Sequence, residues 1–538
     1  MTTTSLADAF SAYDGYDDAI GSSLHPQPID HGSTTPPVIQ KPAKAGKGLN
    51  RGDSLGKRMA GYTGLLRNRS LGNKERWSTV RGSVGGGGGG GGTLGSSGGD
   101  DSAGSGTRGS GLHAKDWNGL LQELFEKKSG TAEEDLQRTR QLRGLVDEFA
   151  EVAAKVGSVI VEEHFLPPER RSIRPTSNWG RAGGEKYVFT PENIFFKFAF
   201  DTHGLYGGDE YCMKSAGHEL RAVMECSDCR PARLHFSLLV LIDYRGYRLT
   251  AQPLLPIGED TLLYGSADGG KTVHDEDKDV AELLRRGICE RLNLRPTRAE
   301  VVNYKNDEES QNEMEKQAGE RTRKVCLQGP LDLEVHKGRD GRLYVLDLHR
   351  LFPPSTPEPG IRGCFLYKLL RPEHVRTNPE PLCPDAYSMF HVEGREEVEE
   401  SVSAATRRLL QEVAPALGQL LSSYKPLEVQ ESSHGTLHHR RLDDNSVAHT
   451  SVFEIQEKLE VMMQVVHAKG MNARYLGRVR RYATTSCVRK LLLTEIVARS
   501  MKNILRARMR ALYSGYKADY SVVVLNYLEL VFGEVTET

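Results

Sequence analysis

The sequence predicts an α+β protein: a domain of mixed sheet and helix, then an all-α helical domain, with a disordered Gly/Ser-rich tail in front. Three observations predict this. Of 56 glycines, 26 fall in the first 111 residues. From about Tyr187 to Phe390, short apolar stretches with the two-residue period of strands alternate with helical patterns. Beyond Phe390 apolar residues recur three and four apart, the period of a helix buried on one face. The domains read as 1–112 (tail), 113–390 (sheet and helix) and 395–538 (helical).

The tail contains the unbroken tract Gly85–Gly92, and Lys41 to Arg81 carries eleven Lys or Arg against Asp53 and Glu75. Such a segment buries too little apolar surface to order itself. Order is expected from Asp116, in a helical segment reaching about Leu166 and stopped by Pro167-Pro168. Strands are expected at Tyr187–Phe189, Ile194–Phe200, His235–Asp243 and Tyr247–Pro253, the last two turning through Tyr244-Arg245-Gly246. A helix over Lys214–Cys226 interrupts them, and a second runs over Asp275–Leu294 with acids in its first turn. Residues 305–324 are so highly charged that a surface insertion is expected. A hairpin follows: Leu331, Leu333 and Val335 alternate with polar residues, Arg339-Asp340-Gly341 turns, and Leu343–Leu348 returns as a buried strand. Helices are then expected at Glu396–Leu421, Val452–Ala468, Val488–Tyr513 and Tyr520–Phe532, split by a His-, Ser- and Asp-rich linker at 430–450 that holds His434, His438 and His439.

Charge is nearly balanced, 71 Lys and Arg against 72 Asp and Glu, so it has to be read block by block. No window approaches the ~18 consecutive apolar residues of a membrane span, and no membrane insertion is expected. The first residues are acidic (Asp8, Asp14, Asp17, Asp18), unlike a secretory signal or transit peptide. Eight scattered cysteines do not make a disulfide framework at this length. A cytoplasmic chain with reduced thiols is the expectation.

Gly265-Ser266-Ala267-Asp268-Gly269-Gly270-Lys271-Thr272 fits the phosphate-loop pattern G-x-x-x-x-G-K-[ST]. That chemistry needs a helix starting at the Lys-Thr pair, so that backbone N–H groups and the helix N-terminus face the phosphates. Here Val273-His274 and three acids intervene, so a Gly-rich turn is expected instead. Cys226 and Cys229 have zinc-ligand spacing, but no second pair exists, and His218 and His235 would have to complete the site. No metal or other cofactor is expected, and no nucleophile motif points to catalysis. Asp347 sits in an otherwise apolar strand. Kinase-like folds place a Mg²⁺-binding Asp after a comparable hairpin, with a strand Lys paired to a helical Glu. Lys197 and Glu219 suit those parts, which makes a nucleotide-binding domain the alternative reading. No catalytic-loop motif with an Asp and an Asn five residues on accompanies them, so a structural pair of Asp347 with Arg350 or another cation is favoured.

The stronger signal is electrostatic. Residues 467–510 hold twelve Lys or Arg against Glu495 alone. Arg474, Arg478, Arg480, Arg481, Arg489, Lys490, Arg499, Lys502 and Arg506 are the candidate RNA contacts, with Tyr475 and Tyr482 placed to stack on bases. The competing reading docks this helix on protein, on an acidic segment such as Glu396–Glu400 or on a partner.

Several stretches resemble the clustered-mitochondria (Clu) family: Asp116-Trp117-Asn118, Arg248–Gln252, Tyr264–Ser266, Gly270–Val273, Gly341–Pro354 and Phe365–Pro372. Lys469–Gly477 and Leu491–Arg499 are similar to the family's central helical, translation-initiation-factor-like domain. The resemblance implies a short form, with a disordered tail where longer members have a ubiquitin-like domain and without their tetratricopeptide repeats. It implies a non-enzymatic cytoplasmic protein, associated with the mitochondrial surface, that binds mRNAs for mitochondrial proteins. It further implies association with the translation machinery or ribosome and a part in mitochondrial distribution.

Overall fold

The computed structural model describes residues 114–128, 130–176, 184–302, 322–427, 445–513 and 519–533. The expected tail with its basic arm, nearly all of the charged insertion, and the His tract at 434–439 lie outside them.

The expected first helix is two. Helix α1 (Trp117–Glu126) starts at Asp116, whose carboxylate accepts the Gly119 N–H at 2.8 Å. Helix α2 (Ala132–Glu163) begins at a reciprocal cap: Thr131 Oγ1 accepts from Glu134 N, and the Glu134 side chain accepts from Thr131 N. That cap makes a separate start more favourable than one long helix. Both helices cover a four-stranded antiparallel sheet made of β1 (Lys186–Phe189), β2 (Ile194–Phe198), β4 (Val240–Tyr244) and β5 (Tyr247–Pro253), in the order β1-β2-β5-β4. Trp117, Phe149, Ile160, Phe196, Phe198 and Leu249 fill the core between them. Alternation along β2 turns Phe196 and Phe198 into this core and Lys197 to the opposite face.

Helix α3 (Asp209–Cys229) follows β2 and runs longer at both ends than expected. A second sheet has the order β3-β10-β9-β6, from β3 (Leu234–His235), β6 (Leu262–Gly265), β9 (Glu334–Lys337) and β10 (Leu343–Leu346). Leu331 and Leu333 are buried but precede the strand: Leu333 N–H bonds to the Pro330 carbonyl in a turn, so their alternation reports burial and not pairing. Asp347 likewise falls just past β10, with left-handed backbone at φ +53°. Helix α4 (Lys278–Leu284) is capped by Asp277 and continues through a π turn to Leu292. A third sheet pairs β7 (Thr297–Val302) with β8 (Thr322–Leu327) and the short β11 (His391–Val392).

Helix α5 (Pro372–Arg376) leads to the helical part: α6 (Arg395–Arg408), α7 (Ala414–Ser422), α8 (Asn445–Ala468), α9 (Leu476–Tyr482), α10 (Ser486–Tyr513) and α11 (Tyr520–Phe532). The single helix expected over Glu396–Leu421 holds a π turn at Leu409–Val413. Pro415 lies just after it and has no N–H to give the helical ladder. One apolar core joins sheets two and three to α6–α10 without a break at residue 390, from Val335 and Leu351 to Val402, Leu476 and Leu492. The α+β class and the mixture of sheet and helix are as predicted.

Candidate functional site

The basic stripe is largely committed inside the chain. Arg506 donates to Asp243, whose carboxylate also takes a two-pronged contact from Arg248 at 2.7 and 2.8 Å. Arg510 donates to the Gly246 carbonyl at 2.7 Å and reaches Glu210 at 3.4 Å. Arg499 is paired with Glu495 one turn back at 2.6 Å. Arg489 and Arg480 each donate to the other's carbonyl, at 2.9 and 3.2 Å, and pin the corner between α9 and α10. Arg474 donates to the carbonyls of Lys368 and Leu369 at 3.0 and 3.2 Å and lies over the Tyr475 ring. Packing around its amine, with the charges of Arg506, Arg499 and Arg248, holds the Lys502 ammonium below its ordinary range. The docking partners are Asp243 and Glu210. Glu397, Glu399 and Glu400 of the predicted acidic segment pair with Arg295, Arg395 and Arg407. Exposed positions remain at the other end of the stripe: Lys469, Arg481, Lys490 and the Tyr482 ring, with Arg478 half-buried beside them.

The phosphate-loop look-alike already holds an anion, its own Asp268. One carboxylate oxygen accepts from Lys271 N, Thr272 N and Ser266 Oγ, each at 2.9 Å, while Gly270 N donates to Ser266 Oγ. These N–H groups would have faced phosphate. The turn joins β6 to the segment before α4, as expected.

Lys197, Glu219 and Asp347 do come together, from β2, α3 and the turn after β10. Burial pushes the Lys197 ammonium down, and Asp347 and then Glu219 more than restore it, leaving it raised. Burial raises the Glu219 carboxyl, opposed by Lys197 and reinforced by Asp347. Among the described residues no carboxylate closes into an ion pair with Lys197. Of the cations expected to pair with Asp347, Arg350 is engaged elsewhere, and the cations that Asp347 acts on are Lys197 and Lys186. Arg350, 5% exposed, grips Asp332 with two bonds of 2.7 Å and Asp385 at 2.9 Å.

Two further groups share this region, and the motif reading missed both. Lys186 stands directly across the β1–β2 ladder from Lys197, so the two side chains share a face. Burial and Lys197 hold its ammonium down to about 8, against the pull of Asp347 and Glu334. Glu334, at the start of β9, is paired in register with Leu346, the residue before Asp347. Strand register is the signal that would have found both. Elsewhere, Cys226 and Cys229 end α3 beside Cys289, with burial raising all three thiols. His218 donates to the Tyr367 carbonyl at 2.7 Å. Among the described residues no set of three His, Cys, Asp or Glu is placed to hold a metal, and no helix is long and apolar enough to cross a membrane.

Residues 116–357, from the cap of α1 through the Lys197 region, match the family model described as clustered mitochondria. Over these residues the chain resembles the clustered-mitochondria family. Residues 460–537, which include α9, α10 and α11, match the model for translation initiation factor eIF3 subunit 135. A clustered mitochondria protein homolog of Caenorhabditis briggsae is 24% identical over 73% of this chain and 35% of its own length. The protein clueless of Drosophila willistoni is 31% identical over 45% of this chain and 15% of its own. A Xenopus tropicalis homolog is 29% identical over 45% and 17%. The chain thus spans about a third or less of the length of these relatives. No solved structure matches it.

Proposed function

We propose that this chain is a non-enzymatic, cytoplasmic, RNA-associated factor. In this reading it handles mRNAs for mitochondrial proteins alongside the translation machinery and so helps to distribute mitochondria, in part at the mitochondrial surface. The observation that carries the reading is the initiation-factor match over 460–537, because the exposed cations Lys469, Arg481 and Lys490 lie within that same stretch. The organelle comes from the name of the Caenorhabditis briggsae relative, clustered mitochondria protein homolog.

The RNA face is therefore the α9–α10 corner, and the Asp243-docked end of α10 is structural. Ultraviolet crosslinking to RNA in cells tests this. Replacing Lys469, Arg481 and Lys490 by Glu is expected to cut crosslinking at least tenfold. In vitro, the dependence of affinity on salt is expected to flatten by about two in log–log slope, as suits three lost phosphate contacts on a single strand. Crosslinking that is unchanged in this variant overturns the assignment.

A further inference from the structure

The face shared by Lys186, Lys197, Glu219, Glu334 and Asp347 is crowded with like charge twice over. Two ammonium groups sit opposite each other on adjacent strands, where a like-charged cross-strand pair is unfavourable. Near them, burial and then Asp347 raise the Glu219 and Glu334 carboxyls, against the opposing pull of Lys197 on Glu219 and of His336 on Glu334. Glu334 also meets His336 Nε2 at 3.0 Å. The lysines act on the acids and the acids on the lysines, yet no ion pair closes between Lys197 and either Asp347 or Glu219. An anion between the ammonium groups and a cation between the carboxylates would relieve both repulsions together.

One class of ligand carries both. Mg²⁺ is commonly held by one or two carboxylates while phosphate oxygens and water complete its octahedron. Among the described residues no set of three His, Cys, Asp or Glu forms a metal site, and two carboxylates suit a phosphate-borne metal better than a bare one.

We infer that this face binds a polyphosphate together with its divalent cation: Lys186 and Lys197 take phosphate oxygens, Asp347 and Glu334 take the metal, and Glu219 positions Lys197. The Gly265–Thr272 turn plays no part, since Asp268 fills it. Phosphoryl transfer is not part of the inference, because no catalytic-loop Asp with an Asn five residues on accompanies these residues.

Calorimetric titration of the full chain tests it, with four probes: Mg·ATP, Mg·tripolyphosphate, ATP with a chelator, and MgCl₂ alone. Mg·ATP is expected to bind, with affinity at least tenfold weaker in Lys197→Met and in Asp347→Asn and at least tenfold weaker when the metal is chelated. Equal binding of Mg·tripolyphosphate would support a site that reads phosphate and metal alone. Binding of Mg·ATP only would support one that also reads the nucleoside. The Lys469, Arg481 and Lys490 Glu variant is expected to bind Mg·ATP like the parent, which separates this site from the RNA face. No binding of either polyphosphate by the folded parent overturns the inference, as does binding indifferent to both substitutions or to chelation. Should either variant fail to fold by circular dichroism, the parent titrations with and without chelator still decide.

Discussion

Asp268 does from within the chain what a phosphate would do from outside. Its carboxylate gathers the Lys271 and Thr272 N–H groups and the Ser266 hydroxyl, and these bonds hold its own carboxyl below the ordinary range against the opposing effect of burial. Asp268→Ala leaves those donors to water and is expected to cost about 1–2 kcal/mol, read as a lower urea midpoint at unchanged m-value. Asp268→Asn keeps an acceptor and should lose less. Loss equal to Ala in the Asn variant would mean that charge, and not geometry, holds the turn. The sequence made the failure of the phosphate loop legible through the acids that follow it. That the blocking anion lay inside the motif was not legible, because Asx-type bonds depend on turn geometry. Similarly, Lys197 and Asp347 were readable from their apolar surroundings and Glu219 from its place on the following helix, whereas Lys186 and Glu334 required strand register.

At the scale of elements, the β4–β5 hairpin and α10 form a joint. Arg245 and Gly246 both have positive φ, +47° and +86°, as a two-residue turn between twisted strands needs. At Gly246 an added Cβ would also meet the Arg506 carbonyl oxygen at 2.7 Å. Gly246→Ala is therefore expected to destabilise by about 1–3 kcal/mol and to open the end of α10. Limited proteolysis checks it: new cuts should appear near 500–511 while α1 and α2 stay protected. An unchanged digest would mean that α10 is held elsewhere. The hairpin and most helix periods were legible in the sequence, since turn chemistry and apolar spacing are local. Breaks at 127–131 and 409–413 were not, because a cap or a proline acts within a period that continues across it. The docking of α10 was not legible either. Its arginines have the same spacing whether they face phosphate or Asp243.

Across the whole molecule, two buried histidines tie distant segments. His374, 1% exposed, bonds through Nε2 to the Ala405 carbonyl at 2.9 Å and packs against Gly470, so it links α5, α6 and the turn after α8. Burial holds its imidazole down to about 4, and holds His218 down to about 3. Unfolded, both would titrate near 6.5, so below that pH the unfolded chain binds protons that the folded chain refuses. Stability should be full above about pH 6.5 and fall as pH drops toward 4, by roughly 2–4 kcal/mol between pH 6.5 and 5. Urea midpoints across that range check it, and His374→Gln should flatten the slope. A slope identical in the variant would mean that other groups set it. The joint at Asp243 has a separate consequence. One carboxylate there serves Arg248 and Arg506, with Lys502 nearby, so the contact carries surplus positive charge. Counter-ions weaken its attraction and its internal repulsion together. The two effects offset, and the joint keeps its grip across ionic strengths at which a phosphate contact of the same helix would let go.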